Sequence, residues 1–236
     1  MFRPLALLLC ALALVLTACG GSDDAAQPAT TAKDTSAGQD DGGAAAGTAG
    51  GCQKVAQPQA KPDGGAKPSS KALDPRATYD VVLETSCGDI TIRLDQKTSP
   101  RTAASFVSLA KSGFFDGTVF HRIVPGFVIQ GGDPTATGTG GPGYSTRDVP
   151  PPNAAYTKGV VAMAKAGAEP PGTAGSQFYV VTAPDAGLPP EYALLGKVVK
   201  GQRSVDAIGK LGDPNSGELG TPLQPVVVDR ATVHES

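Results

Sequence analysis

The stretch FHRIVPGFVIQGGD, residues 120–133, places a guanidinium (Arg122), an aromatic ring (Phe127) and an amide (Gln130) close together. The dipeptide Pro125-Gly126 between them predicts a turn. If strands flank that turn, Arg122 and the side chains after it face one surface, with a fixed cation beside an apolar pocket. The stretch contains no evident nucleophile or general base. It therefore suits a reaction that breaks no bond.

Short strands separated by Gly and Pro are predicted for most of the chain around this stretch. Tyr79–Glu84 and Ile90–Leu94 alternate in polarity and predict a hairpin. One helix is predicted between its cap Ser99 and Gly113, and a second over residues 204–211. Further strands are predicted around residues 119–123, 128–130, 160–163, 177–182, 194–199 and 226–232. These elements indicate a barrel or sandwich with two helices to cover its open ends.

The central stretch closely resembles the signature of the cyclophilins, the peptidyl-prolyl cis-trans isomerases. Three further segments match that family in order: GTGG at 138–141, MAKAG at 163–167 and GSQFYV at 175–180. The resemblance runs from about residue 79 to about residue 234. It implies an all-β fold, in which an eight-stranded antiparallel closed barrel is capped by two α-helices. It also implies catalysed rotation about X-Pro peptide bonds, with no cofactor and no metal.

The resemblance assigns roles to individual residues. Arg122 occupies the place of the catalytic arginine, whose guanidinium would donate to the prolyl nitrogen in the twisted transition state. Gln130 matches a catalytic-site glutamine that hydrogen-bonds substrate backbone. The resemblance places the following residues along the substrate site: Phe127, Val128, Gly138, Ala164, Lys165, Ala166, Gln177, Tyr179, Leu188 and Tyr192. Structural interpretations stand beside these roles: a surface ion pair for Arg122, core packing for the apolar residues and a turn for Gly138.

Several positions depart from the family pattern. Val128 replaces a common methionine, Lys165 stands where many relatives have asparagine, and Gly187 aligns with a tryptophan of many eukaryotic members. Lys165 is expected to change the rim of the site more than the mechanism, because the backbone hydrogen bonds of its strand survive a change of side chain. These departures leave a second function open, a proline-peptide binding module or holdase with little catalytic activity. A structural surface lipoprotein or adhesin is a third possibility, supported only by residues 19–75, whose composition predicts a linker.

Residues 1–19, MFRPLALLLCALALVLTAC, predict an export signal. Arg3 supplies its positive charge, and the apolar run over residues 5–16 is too short to span a bilayer as a helix. The closing LTAC resembles a bacterial lipobox. This implies a signal peptide over residues 1–18, lipidation of Cys19 and an extracytoplasmic location anchored to the bacterial cell membrane. An ordinary signal peptide with an incidental cysteine is the alternative.

Residues 19–75 predict a disordered linker, which leaves residues 76–236 as the isomerase domain. The linker contains no aromatic residue and no isoleucine, so it has little apolar surface to offset its chain entropy. Cys52 in the linker and Cys87 in the domain would both face an oxidising compartment. We expect a disulfide bond between Cys52 and Cys87, and two free thiols are the alternative.

Charge and residue counts exclude several other functions. The formal net charge of -2 offers no basic surface for nucleic acid. Only two histidines are present, and no two of the four cysteines have CxxC spacing, so a zinc site has no support. His121 would point away from Arg122 in a strand and is interpreted as structural, not as a base. The expected partners are proline-containing polypeptides and the membrane, with a monomeric domain.

Overall fold

The computed structural model describes residues 51–236, which contain eleven β-strands and two α-helices. The predicted signal peptide, the lipidation site Cys19 and the linker up to residue 50 lie outside this part of the chain. The strands are β1 (Tyr79–Thr85), β2 (Ile90–Leu94), β3 (Thr118–Val119), β4 (Arg122–Val124), β5 (Val128–Gly131), β6 (Thr146–Arg147), β7 (Val160–Met163), β8 (Thr173–Ala174), β9 (Phe178–Val181), β10 (Leu194–Lys200) and β11 (Val227–Glu235). The helices are α1 (Pro100–Lys111) and α2 (Gln202–Gly209). Among residues 51–236 no helix has both the length and the apolar character needed to cross a membrane.

One antiparallel sheet of nine strands curls around the core, in the order β3-β11-β1-β2-β10-β7-β9-β5-β4. Its two edge strands, β3 and β4, are separated in sequence only by Phe120 and His121. Counted as one interrupted strand, β3 and β4 leave the nine-stranded sheet with eight strands, the number predicted for the barrel. The two edges meet at the Phe120-His121 link and at a bridge between Val119 and Asp133, instead of along a continuous ladder. Strands β6 and β8 pair separately.

Alternation along the strands divides their side chains between two apolar clusters. The main core contains Ile129 from β5 together with Phe178 and Val180 from β9. Their neighbours on the same strands, Val128 and Tyr179, belong to a smaller cluster on the opposite face of the sheet. The strands that build the core therefore also present a second set of side chains on their outer face.

Both helices lie close to their predicted positions, but their starts differ in detail. Helix α1 follows Ser99 as predicted, although the Ser99 side chain makes no capping hydrogen bond. The N–H of Thr102 donates instead to the carboxylate of Asp148, at 2.7 Å, from a distant loop. Helix α2 begins two residues earlier than the predicted range of 204–211, directly after Gly201, whose φ is 84°. That left-handed conformation suits glycine and marks the turn from β10 into the helix.

Residues 51–75 (the lead-in segment) lie against the domain, which corrects the prediction of a disordered linker for this stretch. The Nζ of Lys61 donates to the carbonyl of Phe114 at 2.8 Å, and a disulfide bond joins Cys52 to Cys87. Backbone N–H groups of the segment donate to the domain: Gln53 to Ser86 at 2.7 Å, Lys61 to Pro134 at 2.8 Å and Gly64 to Gly141 at 2.9 Å. Composition could not predict this docking, because the segment is held by backbone groups and a cross-link more than by apolar side chains.

Replacing Cys52 and Cys87 together by serine is expected to loosen the lead-in segment while the barrel stays folded. The cross-link spans a sequence separation of 35 residues, and its removal restores chain entropy to the released segment. Amide hydrogen exchange at Lys61 and Gly64 should accelerate by about tenfold or more, while the amides of β1 keep their protection. Unchanged exchange at Lys61 and Gly64 would mean that the backbone hydrogen bonds alone hold the segment.

Candidate active site

A row of side chains crosses four strands on the outer face of the sheet. Arg122 on β4 lies opposite Gln130 on β5, Gln130 lies opposite Tyr179 on β9, and Tyr179 lies opposite Ala162 on β7. Directly opposed residues of antiparallel strands point to the same face. The turn at Pro125-Gly126, with Gly126 at a φ of 69°, connects β4 and β5 in this register. Strand pairing therefore brings the cation, the amide and the aromatic ring together.

The Arg122 guanidinium is held at its base and not by a counter-ion. Its Nε donates to the carbonyl of Glu218 at 3.0 Å, and its Cζ lies 6.0 Å from the centroid of the Phe127 ring. Its Nη1 is 3.4 Å from Oε1 of Gln130, a long contact. Within residues 51–236 no carboxylate forms an ion pair with Arg122. The surface ion pair considered for Arg122 is therefore not formed with any described residue, and its terminal N–H groups can donate to a ligand.

The loop around Glu218 was not predicted as part of the site. The N–H of Ile123 donates to the carbonyl of Gly220 at 2.6 Å, so this loop runs directly beside β4. A Cβ on Gly220 would lie 2.9 Å from Cγ of Arg122, and the φ of Gly220 is 63°. Glycine at this position therefore permits the close approach that brings the Glu218 carbonyl to Arg122. No sequence signal marks such a contact, because every residue carries a backbone carbonyl.

A cavity of about 230 Å³ adjoins the guanidinium. Val128 and Tyr179 are only 2% and 4% exposed, so they form its walls and also pack within the smaller apolar cluster. Pocket wall and core packing are thus compatible interpretations for both. All the residues that line the cavity were predicted for the substrate site: Arg122, Phe127, Val128, Gln130, Ala164, Lys165, Tyr179, Leu188 and Tyr192.

A larger groove of about 600 Å³ continues from this cavity. The two spaces share three lining residues: Gln130, Ala164 and Lys165. The other predicted site residues line the groove and not the cavity: Gly138, Ala166 and Gln177. The predicted site is therefore one continuous surface with two parts, a cavity beside Arg122 and a groove beside the glycine loop (residues 138–143).

Two glutamines connect the cavity to the groove. The Nε2 of Gln130 donates to Oε1 of Gln177 at 3.0 Å. The Nε2 of Gln177 donates in turn to the carbonyls of Gly138 and Gly140, at 3.0 and 2.9 Å. This chain of hydrogen bonds fixes the amide orientation of Gln130 beside Arg122. Gln177 thus acts on the cavity through Gln130.

Two tyrosines, Tyr179 and Tyr192, line the far wall of the cavity, and a third, Tyr156, packs behind them. The rings of Tyr179 and Tyr192 meet edge to face with centroids 5.6 Å apart, and both lie near Tyr156. Tyr156 was not predicted; its hydroxyl donates to the carbonyl of Tyr192 at 2.7 Å and accepts from the Tyr192 N–H at 3.0 Å. The Tyr179 hydroxyl has no hydrogen-bond partner among the described residues, and burial raises its pKa. The wall is therefore rigid, neutral and mostly apolar.

Lys165 lines both the cavity and the groove but does not extend into solvent. Its side chain is turned inward and is only 2% exposed. Its Nζ is 3.1 Å from the carboxylate of Glu191 and 5.6 Å from the centroid of the Tyr192 ring. It also donates to the carbonyl of Glu169 at 3.1 Å. The lysine thus ties the turn after β7 to the loop before β10, and its charge is neutralised by Glu191.

The buried carboxylate of Asp133 holds the glycine loop in place through hydrogen bonds. Asp133 is fully buried, and its carboxylate accepts hydrogen bonds from Thr135, through both N–H and Oγ1, and from the N–H groups of Gly138 and Gly140. Burial by itself would raise the pKa of Asp133, but these hydrogen bonds hold it below its ordinary value. Asp133 and Asp148 therefore have structural roles, one beneath the loop and the other at the start of α1.

The pKa of Asp133 is lower in the folded state than in the unfolded state. The ionised carboxylate therefore stabilises the fold above about pH 4, and this stabilisation is lost as pH falls through the folded-state pKa. Asp133→Asn should lower stability at pH 7, since its amide N–H₂ group must face backbone N–H donors. The gap between wild type and Asp133→Asn should shrink on acidification, as measured by urea unfolding at neutral and acidic pH. Asp229→Asn, at an exposed position of β11, is the matched control. A constant gap would exclude this role for Asp133.

His121 lines neither the cavity nor the groove, although its ring lies next to Gly138 of the glycine loop. Burial lowers its pKa, and neither ring nitrogen has a hydrogen-bond partner among the described residues. It lines a separate cavity beside the loop of residues 222–225. Within residues 51–236 no three His, Cys, Asp or Glu side chains are grouped so that they could hold a metal ion.

The family model for cyclophilin type peptidyl-prolyl cis-trans isomerase/CLD matches residues 80–233. The chain belongs to this family. The cyclophilin domain is 40% identical over 177 residues to peptidyl-prolyl cis-trans isomerase A of Mycobacterium tuberculosis, a match that covers 67% of this chain and 94% of the relative. It is also 40% identical over 169 residues to peptidyl-prolyl cis-trans isomerase B of Streptomyces anulatus, covering 64% and 94% of the two chains.

Solved structures agree with this assignment of the cyclophilin domain. The crystal structure of a cyclophilin type peptidyl-prolyl cis-trans isomerase from Cryptosporidium parvum superposes with a TM-score of 0.60 at 31% identity. The match covers 66% of this chain and 98% of that one. A second structure of the same protein was determined in the presence of the dipeptide Ala-Pro, with a TM-score of 0.59.

Proposed function

We propose that this cyclophilin domain catalyses cis-trans isomerisation of X-Pro peptide bonds. One observation carries the proposal: the Arg122 guanidinium, free of any carboxylate among the described residues, borders a cavity walled by Phe127, Val128 and Tyr179. A cation with unused donors beside apolar side chains is suited to an uncharged, ring-bearing substrate that needs no group transferred.

Arg122 acts on the nitrogen of the rotating bond. The barrier to rotation is roughly 18–20 kcal/mol, because the nitrogen lone pair is delocalised into the carbonyl. The twisted transition state loses that delocalisation, so its prolyl nitrogen becomes basic and accepts a hydrogen bond. A fixed donor at this position stabilises the twisted state more than either planar state, and this difference accelerates the reaction.

The rest of the cavity holds the proline while its bond rotates. The rings of Phe127 and Tyr179 and the side chains of Val128 and Leu188 offer apolar surface against which a pyrrolidine ring can pack. Gln130, oriented by Gln177, can hydrogen-bond the substrate backbone next to the proline. The reaction uses no cofactor, and the domain acts as a monomer on proline-containing polypeptides.

Exchange NMR of a short Ala-Pro peptide with substoichiometric protein tests this function. Uncatalysed exchange takes tens to hundreds of seconds, so catalysed cross-peaks on a sub-second mixing time would be unmistakable. Binding of the peptide without faster exchange would instead support the second candidate, a proline-peptide binding module or holdase. Absence of both binding and acceleration would remove both functions.

We further propose that the chain is a lipoprotein, anchored through Cys19 to the extracytoplasmic side of a bacterial cell membrane, where it assists folding of secreted or envelope proteins. The LTAC sequence supports this proposal, and the Cys52–Cys87 disulfide is compatible with an oxidising compartment. Palmitate labelling should be lost in Cys19→Ala and kept in Cys10→Ala, which removes a cysteine from the apolar run that precedes Cys19. Equal labelling of the two variants would exclude the anchor.

A further inference from the structure

The lead-in segment borders the groove next to the active-site cavity. Asp63 lines the groove together with residues of the glycine loop, although it lies outside the residues that match the family model. The N–H of Ala66 donates to the carbonyl of Pro142 at 3.1 Å, next to the bond from Gly64 to Gly141. The groove of this chain therefore includes a residue that the cyclophilin match does not cover.

The contact between the lead-in segment and the glycine loop is close. Gly64 and Gly143 have φ values of 72° and 85°, and their backbones pack against each other. A Cβ on Gly143 would lie 3.1 Å from Cα of Gly64, so a side chain at this position would push the segment away. Together with the Cys52–Cys87 disulfide, this packing holds the segment as a fixed wall of the groove.

The charges that face the groove are negative. Oδ1 of Asp63 accepts from the N–H of Gly141 at 2.8 Å, whereas its other oxygen has no partner among residues 51–236, and the residue is exposed. Oε2 of Glu169 accepts from the N–H of Ala166 at 2.6 Å. Lys165 is the one cation that lines the groove among the described residues, and its charge is withdrawn into the ion pair with Glu191.

We propose that the lead-in segment is part of the substrate site and that Asp63 selects clients with Lys or Arg close to the isomerised proline. This inference rests on the proposed isomerase function. An extended peptide advances about 3.3 Å per residue, so a side chain a few residues from a proline in the cavity reaches the groove that begins at Gln130. There it meets the free oxygen of Asp63, with the Glu169 carboxylate on the same groove. The isomerase thereby favours basic client segments.

Exchange NMR with paired peptides tests the inference. Each pair carries Lys or Glu at one, two or three positions before or after the proline, and the measured quantity is the ratio of kcat/KM for Lys to that for Glu. Wild type should prefer Lys at the positions that reach Asp63, and Asp63→Asn should reduce the ratio by about fivefold, as expected for one partly exposed charge pair. Asparagine keeps the oxygen that accepts from Gly141, so the change removes charge and not the segment's contact. Raising the salt concentration should reduce the wild-type ratio in the same direction.

Asp229→Asn is the matched control, because it removes the same charge from an exposed position on β11 that lines neither the cavity nor the groove. The inference is overturned if Asp63→Asn keeps the wild-type ratio. It is also overturned if the ratio falls only in Glu169→Gln, which would assign the preference to the domain itself. Failure of the wild type to accelerate any peptide would overturn the proposed function, so the two failures are distinct.

Discussion

Arg122→Ala is expected to lower kcat/KM for an X-Pro peptide by about 100- to 1,000-fold, close to the loss seen when one preorganised donor is removed from an active site. The guanidinium is the only cation beside the cavity apart from Lys165, which is paired with Glu191, among the residues that the structure describes. Its loss removes the hydrogen bond to the prolyl nitrogen, which is stronger in the twisted state than in the planar state. Peptide affinity should change much less, because the apolar walls of the cavity remain.

Arg122→Lys separates charge from geometry. The Nε–H that donates to the Glu218 carbonyl is lost, so the ammonium is no longer held in place by that loop. Activity should lie between those of wild type and Arg122→Ala. Arg230→Ala, which removes a guanidinium paired with Glu84 on the exposed surface, is the control and should keep wild-type activity. If Arg122→Ala retained more than about half of the wild-type kcat/KM, Arg122 would not be the catalytic donor.

Phe178→Ala is expected to lower the free energy of unfolding by about 3–5 kcal/mol, the usual cost of removing a buried ring. Phe178 is 1% exposed, and its ring meets Phe106, Phe115 and Phe120 edge to face at centroid distances of 5.5, 6.1 and 6.1 Å. These rings come from α1, from the segment before β3 and from the link between β3 and β4. Truncation therefore opens a cavity where α1, the sheet and the link between β3 and β4 meet.

Urea unfolding measures this loss, and Leu219→Ala provides the comparison. Leu219 is 79% exposed, so its truncation should change the free energy of unfolding by no more than about 0.5 kcal/mol. Phe178→Ala is also expected to reduce isomerase activity, since the flanking residues Gln177 and Tyr179 belong to the groove and the cavity. A loss of stability below about 1 kcal/mol would show that the four rings do not form a tightly packed core.

Most of the strands were predictable because alternation is a local property. In β1, Tyr79, Val81 and Leu83 are buried and the residues between them are partly exposed, as the sequence pattern indicates. The start of α2 was less accurately predicted, because apolar spacing fits several registers of a short helix. Docking of the lead-in segment was missed, since a stretch poor in apolar residues has no periodicity to interpret.

Within the site, the residues that touch the cavity were predictable and their supports were not. Arg122, Phe127 and Gln130 lie within one hairpin, so a single motif contains the donor, a ring and the amide. Their partners, the carbonyl of Glu218 and the side chain of Gln177, come from distant segments. The inward turn of Lys165 likewise depends on Glu191, which lies on a separate loop.

The amino-acid order was enough to establish the family, the hairpin with its arginine and the apolar residues beside it, because these depend on local patterning and on motifs within short stretches. Tertiary structure alone decided which groups orient that arginine, that the charge of Lys165 is neutralised and that Asp63 borders the groove. Each of these contacts joins residues far apart in the chain, several through backbone carbonyls and N–H groups that every residue carries. Such contacts arise only when the sheet curls and brings its loops and the lead-in segment to the same face.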